Sequence, residues 1–193
     1  LGIEQIQALL RPGEAMVAYA STEKTYLWVV TRSTAKFIPL SISTRDLASA
    51  VSAIRARMDF DDAGQPLPVD VGALHRLYEA IFAPAQPYLA DVKHILFVPS
   101  GPLQSLPPAM LAVSAPPGGD SAVDYRKVDW LINHYAFSIL PGVSSIRAFR
   151  QFANHREASE PFAGFGDPLI GDGAVTVRGR KALPDMSTAF RTV

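Results

Sequence analysis

Short apolar runs separated by polar turns fill the first forty residues of the chain. Residues 3–10 carry Ile3, Ile6 and Leu9 at helical spacing and stop before Pro12-Gly13, which predicts the end of a helix. Three runs rich in β-branched and aromatic residues follow, at residues 15–20, 25–31 and 35–40. Because turns of three or four residues join neighbouring antiparallel strands, these runs predict an antiparallel β-meander.

Apolar residues then recur every three or four positions, which predicts two helices. Ser43 and Asp46 have the spacing in which side-chain oxygens cap the first turn of a helix, and Asp70 can cap the second helix. Pro84 and Pro87 are expected to end that second helix. The side chains expected to face the core are Leu47, Val51, Ile54, Met58, Leu74, Leu77, Tyr78, Ile81 and Phe82.

Strands and a helix alternate in the last hundred residues. Residues 94–98, 135–140 and 162–165 are short apolar runs bounded by turn signals, and the first is apolar enough to be buried on both faces. Residues 143–152 predict a helix between the second and third runs. The residues expected to be buried in this helix are Val143, Ile146, Phe149 and Phe152.

This order predicts an α/β fold, because alternating strands and helices form a largely parallel sheet flanked by helices. The antiparallel meander is expected to precede that sheet. Residues 1–12 are interpreted as the end of an upstream helix or linker, and residues 13–193 as one incomplete domain. The parts of this domain are expected to be the meander (13–42), the helical pair (43–91) and the α/β part (92–193).

Composition limits the chemistry. The 193 residues contain 18 Lys+Arg and 18 Asp+Glu, so no global charge attracts nucleic acid or an anionic membrane. The absence of cysteine excludes disulfides, thiolate metal sites and a cysteine nucleophile within these residues. We expect no metal and no cofactor. The chain begins at Leu1 without an export signal or a membrane-length apolar run, which predicts a cytoplasmic piece of a longer protein.

Several catalytic motifs fail on spacing. The glycines of residues 164–166 lack the third glycine of a dinucleotide fingerprint, because Leu169 stands in its place. A nucleophile elbow requires Gly-x-Ser-x-Gly, but residues 142–146 end in Ile146. This disfavours a serine hydrolase, and Ser144 or Ser145 is better interpreted as a helix cap.

The histidines and the one basic cluster are interpreted conservatively. The histidines, which form no metal-binding pair in the sequence, are expected to have structural or solvent-exposed roles; they are His75, His94, His134 and His155. Residues 178–181 form a basic cluster that could bind an acidic peptide side chain through charge-assisted hydrogen bonds. The alternative is a solvated loop.

Three segments in a fixed order resemble the CHAT domain family. Residues 101–111 read GPLQSLPPAML and follow a strand, residues 130–141 read WLINHYAFSILP, and residues 162–168 read FAGFGDP. The residues resemble the family's "vPdg.L..lPfaaL" and "yLie.yavsy.PS" signatures and its strand ending in "DP", with Gly142 where the family usually has serine. The chain is therefore similar to the N-terminal part of a CHAT domain.

The resemblance implies the fold of caspase- and separase-type cysteine peptidases. Active members use a His-Cys dyad that follows the "DP" strand, so no catalytic residue is assigned in this chain, and His134 is not the base. Asp167, Arg178 and Arg180 are expected at the rim of the substrate-binding site, with an arginine shaping the pocket for a substrate side chain.

The same resemblance suggests partners. The parent would cleave a protein or peptide substrate and carry tetratricopeptide repeats upstream in the same polypeptide, while this chain alone would be inactive. The alternatives are a non-catalytic CHAT-like interaction module coupled to those repeats, and a small-molecule enzyme on an unrelated α/β fold. A sheet that lacks its later strands is also expected to expose an apolar edge, so that the fragment self-associates.

Overall fold

The computed structural model describes residues 1–59, 64–65, 67–115 and 123–152, with only the backbone of Phe152. The described residues fall within the first of two units of the chain, Leu1–Arg156. The regular elements are α1 (Ile3–Leu9), β1 (Glu14–Ser21), β2 (Lys24–Val30), β3 (Ala35–Ser43), α2 (Thr44–Ala56), α3 (Val71–Ile81), β4 (His94–Val98), β5 (Ala136–Ile139) and α4 (Ser145–Phe152). Short 3₁₀ turns span Ala83–Tyr88, Gly101–Ser105, Pro108–Met110, Tyr125–Lys127 and Leu131–Asn133.

The described strands form one five-stranded sheet in the order β3-β2-β1-β4-β5. β1–β2 and β2–β3 are antiparallel, which confirms the meander, while β1–β4 and β4–β5 are parallel. The meander is therefore part of the same sheet as the later strands. The fold is α/β as expected, but this sheet is mixed rather than mostly parallel, because β1 uses its second edge to pair with β4.

Alternating side chains of β1 and β4 supply both faces of the sheet, so these two central strands are buried on both sides. Ala15, Val17 and Tyr19 belong to a core with the residues of α2 and α3. Met16 and Ala18 face the opposite way, into a smaller core with residues of α1 and α4. The double burial of β4 was predicted from its apolar run, and the structure confirms it.

The predicted caps of α2 and α3 are confirmed. The Ser43 hydroxyl accepts a hydrogen bond from the Asp46 N–H at 3.0 Å, and the Asp70 carboxylate accepts one from the Ala73 N–H at 2.7 Å. These bonds satisfy donors that a first helical turn leaves without partners. None of the helices in the described part of the chain is both long and apolar enough to cross a membrane.

Two burial predictions are wrong. Met58 is 38% exposed, because α2 ends at Ala56 and Met58 no longer lies on its inner face. Phe149 is 56% exposed, although Ile146 one turn earlier is buried. Arg150 takes the inward position instead, where its guanidinium hydrogen-bonds the Leu9 carbonyl.

Candidate functional site

The substrate-binding residues expected from the sequence lie outside the described residues. They are Asp167, Arg178 and Arg180, and the same holds for the strand predicted at residues 162–165 and for His155. Among the residues that the structure does describe, no group of three or more His, Asp or Glu side chains could hold a metal ion. The described part of the chain instead presents polar groups at the two ends of the parallel strands.

The carboxyl ends of the parallel strands β1 and β4 lie next to each other. Open α/β sheets usually bind ligands just beyond these ends. β1 ends at Ser21, whose backbone N–H donates to the Ser100 hydroxyl at 3.3 Å. Gly101 follows with φ of +55°, and a 3₁₀ turn starts there. The turn belongs to the first of the three segments that carry the family resemblance.

Replacing Gly101 with alanine will destabilise the protein by about 1–2 kcal/mol, because a side chain is strained at positive φ. An added Cβ would also lie 3.3 Å from the Ser21 Cβ. Gly142→Ala is the matched control, since Gly142 has no positive φ and no atom within 4 Å of the added Cβ. Chemical denaturation of both variants measures the difference, and equal losses would contradict the argument.

A second polar cluster lies at the amino ends of the parallel strands. The register aligns Glu14 of β1 with His94 of β4, and Ser138 of β5 lies two residues beyond the partner of His94. His94 Nε2 is 2.8 Å from the Ser138 hydroxyl, and His94 Nδ1 is 3.4 Å from a Glu14 carboxylate oxygen. All three residues face the side of the sheet that α1 and α4 cover, because each is an even number of residues from the core residues Met16, Leu96 and Leu140.

Glu14 is a buried carboxylate, of which only 8% is exposed. It nevertheless accepts hydrogen bonds from two donors. Burial by itself would raise the pKa of Glu14, but the Arg11 backbone N–H at 2.8 Å and the Arg150 guanidinium at 2.5 Å more than offset this. Together these donors hold the pKa of Glu14 below its usual value. Glu14 therefore stays ionised and acts as an acceptor.

An ionised Glu14 fixes the role of the His94 ring. Because a carboxylate only accepts, the neutral imidazole that fits this contact carries its proton on Nδ1, which faces Glu14. Nε2 is then free to accept a hydrogen bond from the Ser138 hydroxyl. The three side chains thus form a relay, in which a 2.8 Å hydrogen bond joins Ser138 to His94 and a 3.4 Å contact joins His94 to the Glu14 carboxylate.

The relay opens on a cavity of about 420 Å³. His94 and Ser138 line it together with Arg11 and Arg150. The rest of its wall is apolar and consists of Leu96, Ile139, Leu140, Ile146 and Phe149. A mostly apolar pocket with a few convergent polar groups is the usual form of a small-molecule site.

Sequence reasoning missed this cluster. His94 was expected to have a structural or solvent role, Ser138 was not considered, and Glu14 carries no local motif. Glu14 and His94 are 80 positions apart in the sequence, and His94 and Ser138 are 44 positions apart. The parallel register of the strands brings them together. The one available signal was the placement of His94 at the start of a doubly buried strand.

Each of the other described histidines has a polar contact outside the relay. His134 Nε2 lies 2.7 Å from an Asp129 carboxylate oxygen, with both side chains about two-fifths exposed. His75 Nδ1 lies 3.1 Å from the Ala112 carbonyl oxygen. These contacts agree with structural roles.

A shallow cavity of about 470 Å³ lies elsewhere on the described surface. Its lining is almost entirely apolar and consists of Val69, Pro107, Ala109, Met110, Tyr125, Trp130 and Ile132. Ile132 is 54% exposed and Tyr125 is 42% exposed. Solvent-accessible apolar surface of this kind is typical of protein contact sites.

Comparison with models of known protein families gives a match. A family model described as "CHAT domain" matches residues 71–182, which is more than half of the chain. The match begins at α3 and includes all three segments on which the sequence resemblance rests. A search of curated proteins found no match.

Proposed function

We propose that this chain, which belongs to the CHAT domain family, is the N-terminal part of a caspase-like cysteine endopeptidase that acts on a protein target. The family match over residues 71–182 is the observation that carries the proposal. These 193 residues contain no cysteine, so the attacking thiolate must come from another part of the parent protein. The chain alone then has no peptidase activity.

The arrangement of the sheet supports a scaffold role for this chain, with the catalytic thiolate elsewhere in the parent. β1, β4 and β5 run parallel, and α4 follows β5. In a caspase-like sheet, the histidine and cysteine lie at the carboxyl ends of later parallel strands. Under this proposal, Ser21, Ser100 and Gly101 lie at the corresponding carboxyl ends of the described strands. The relay lies at the opposite, amino ends.

Arg178 and Arg180 are the proposed recognition residues, and Asp167 is proposed as a further residue of the substrate-binding rim. A guanidinium binds a carboxylate through paired charge-assisted hydrogen bonds, so these arginines favour a substrate with an acidic side chain. The upstream tetratricopeptide repeats of the proposed parent would bring the protein target to the peptidase.

The test uses the full-length parent and a peptide library read by mass spectrometry. We expect the parent to cleave peptides next to acidic residues, and iodoacetamide to abolish this cleavage. The 193-residue chain should not cleave them. Arg178→Ala with Arg180→Ala should reduce kcat/KM by about 10- to 100-fold, the range expected when a charged recognition contact is lost. Lys181→Ala is the neighbouring control. Cleavage that survives thiol alkylation, or a parent without any cleavage, would overturn the peptidase proposal.

One observation favours a second candidate, a non-catalytic interaction module coupled to tetratricopeptide repeats. The apolar cavity beneath Trp130 and Ile132 offers exposed surface that suits contact with another protein. Under this alternative, the parent binds its partner without cleaving it. Removal of every cysteine from the parent would then leave binding unchanged.

A further inference from the structure

We propose that Ser138, His94 and Glu14 form a second, cysteine-independent nucleophilic site that hydrolyses small esters with an apolar acyl group. The site lies at the amino ends of the parallel strands and does not depend on the peptidase function proposed above. Its nucleophile lies within β5 and not on a strand-to-helix turn. The absence of a Gly-x-Ser-x-Gly motif, which describes such a turn, therefore does not argue against it.

The geometry supplies a nucleophile, a general base and a carboxylate beside that base. Ser138 lies within hydrogen-bond distance of a histidine acceptor, at 2.8 Å, and Glu14 orients that histidine from 3.4 Å. The Glu14–His94 distance is long for a hydrogen bond, but catalytic contacts are often looser before substrate binds. Arg150 and the Arg11 N–H hold Glu14 in place and are positioning groups.

The cavity defines the substrate class. Its apolar wall, which includes Leu96, Leu140 and Ile146, suits a hydrocarbon acyl chain, and the volume of about 420 Å³ suits a small molecule rather than a polypeptide. Arg11 is exposed and lines the same cavity, so its guanidinium is the cation that can face a developing oxyanion.

The reaction balances without a cofactor. The Ser138 oxygen attacks the ester carbonyl carbon, the carbonyl electron pair moves to oxygen, and the hydroxyl proton passes to His94 Nε2. Collapse breaks the bond to the alcohol, which leaves with the proton from His94 and yields an acyl-serine. Water then attacks the acyl carbon, gives a proton to His94 and releases the acid, while the Ser138 oxygen takes that proton back.

The test is labelling of the 193-residue chain with an alkyl fluorophosphonate, followed by mass spectrometry of the labelled peptide. In this reaction the Ser138 oxygen displaces fluoride from phosphorus, and the hydroxyl proton moves to His94. We expect the label on Ser138 and slow hydrolysis of p-nitrophenyl butyrate. Because the chain has no cysteine, this readout is independent of the peptidase proposal, and either can fail alone.

Variants separate catalysis from structure. Ser138→Ala should abolish both labelling and hydrolysis, and His94→Gln should slow labelling by about 100-fold or more, the usual contribution of a general base. Ser49→Ala, at an exposed serine of α2, should label at the wild-type rate. Circular dichroism checks that each variant folds. An unlabelled folded wild-type chain, a label on another residue, or a folded His94→Gln chain that labels at the wild-type rate would each overturn the proposal.

Discussion

Replacing Phe82 with alanine will lower the free energy of unfolding by about 3–5 kcal/mol, the range for deleting a buried aromatic side chain. Phe82 has no exposed surface and lies directly after α3. Its ring centroid is 6.0 Å from that of Tyr78, 5.9 Å from Tyr135 and 6.5 Å from Phe137. These large, close-packed rings limit collapse into the space, so the variant keeps much of the cavity.

The matched control is Phe37→Ala. Phe37 is 53% exposed on the outer strand β3, where its ring lies 4.9 Å from that of Trp28 and 5.5 Å from that of Tyr26. Loss of an exposed aromatic pair should cost less than about 1.5 kcal/mol. Urea denaturation with an unchanged m-value measures both effects. Similar losses in the two variants would show that the contacts of Phe82 do not hold α3 against β5.

Local sequence signals predicted most of the elements. The Ser43 and Asp70 caps require only a side-chain oxygen three residues before a free N–H, and both form as expected. The strand β4 was recognisable because a run of large apolar residues between turns needs burial on both faces. Such features depend on residues close in sequence, so a single chain suffices to find them.

Pairing between distant strands was not predictable in the same way. Nothing near β1 indicates that its second edge will pair with β4 and make one mixed sheet. Register depends on which faces become buried, and that is a property of the whole sheet. The burial pattern of α4 failed for a related reason: Arg150 turns inward because the buried Glu14 lies opposite, far away in sequence.

The candidate sites show the same difference between features set by residues close in sequence and features set by distant strands. The family resemblance came from ordered segments and the family match confirms it, whereas Asp167, Arg178 and Arg180 lie outside the described residues and stay predictions. The Ser138–His94–Glu14 relay has no sequence signature, because each residue comes from a different strand. A motif search finds chemistry carried on one turn, while a relay across a parallel sheet appears only once the register is known.

Replacing Glu14 with glutamine will lower the free energy of unfolding at neutral pH by about 1.5–3 kcal/mol, the range for hydrogen bonds to charged groups. The change keeps the shape of the side chain but leaves the Arg150 guanidinium without its carboxylate partner. Arg150 is 20% exposed and still donates to the Leu9 carbonyl, so we expect a smaller loss than for breaking a fully buried pair.

The pH dependence provides the sharper measurement. The pKa of Glu14 is below 4.5 in the folded protein, so the unfolded chain binds its proton first as the pH falls. The stabilisation is therefore fully present well above the ordinary pKa of a glutamate and is lost as the pH falls through the lower folded pKa. The wild-type chain should lose stability more steeply on acidification than Glu14→Gln, and the two curves should converge.

The exposed Glu79 on α3 provides the control carboxylate. Glu79→Gln removes the same charge without removing a buried partner, and substitutions on an open helix surface usually change stability by less than about 0.5 kcal/mol. Its stability should therefore follow the wild-type curve at every pH. If Glu14→Gln also follows that curve, Glu14 is not held ionised by Arg150 and Arg11, and the histidine orientation on which the relay depends loses its support.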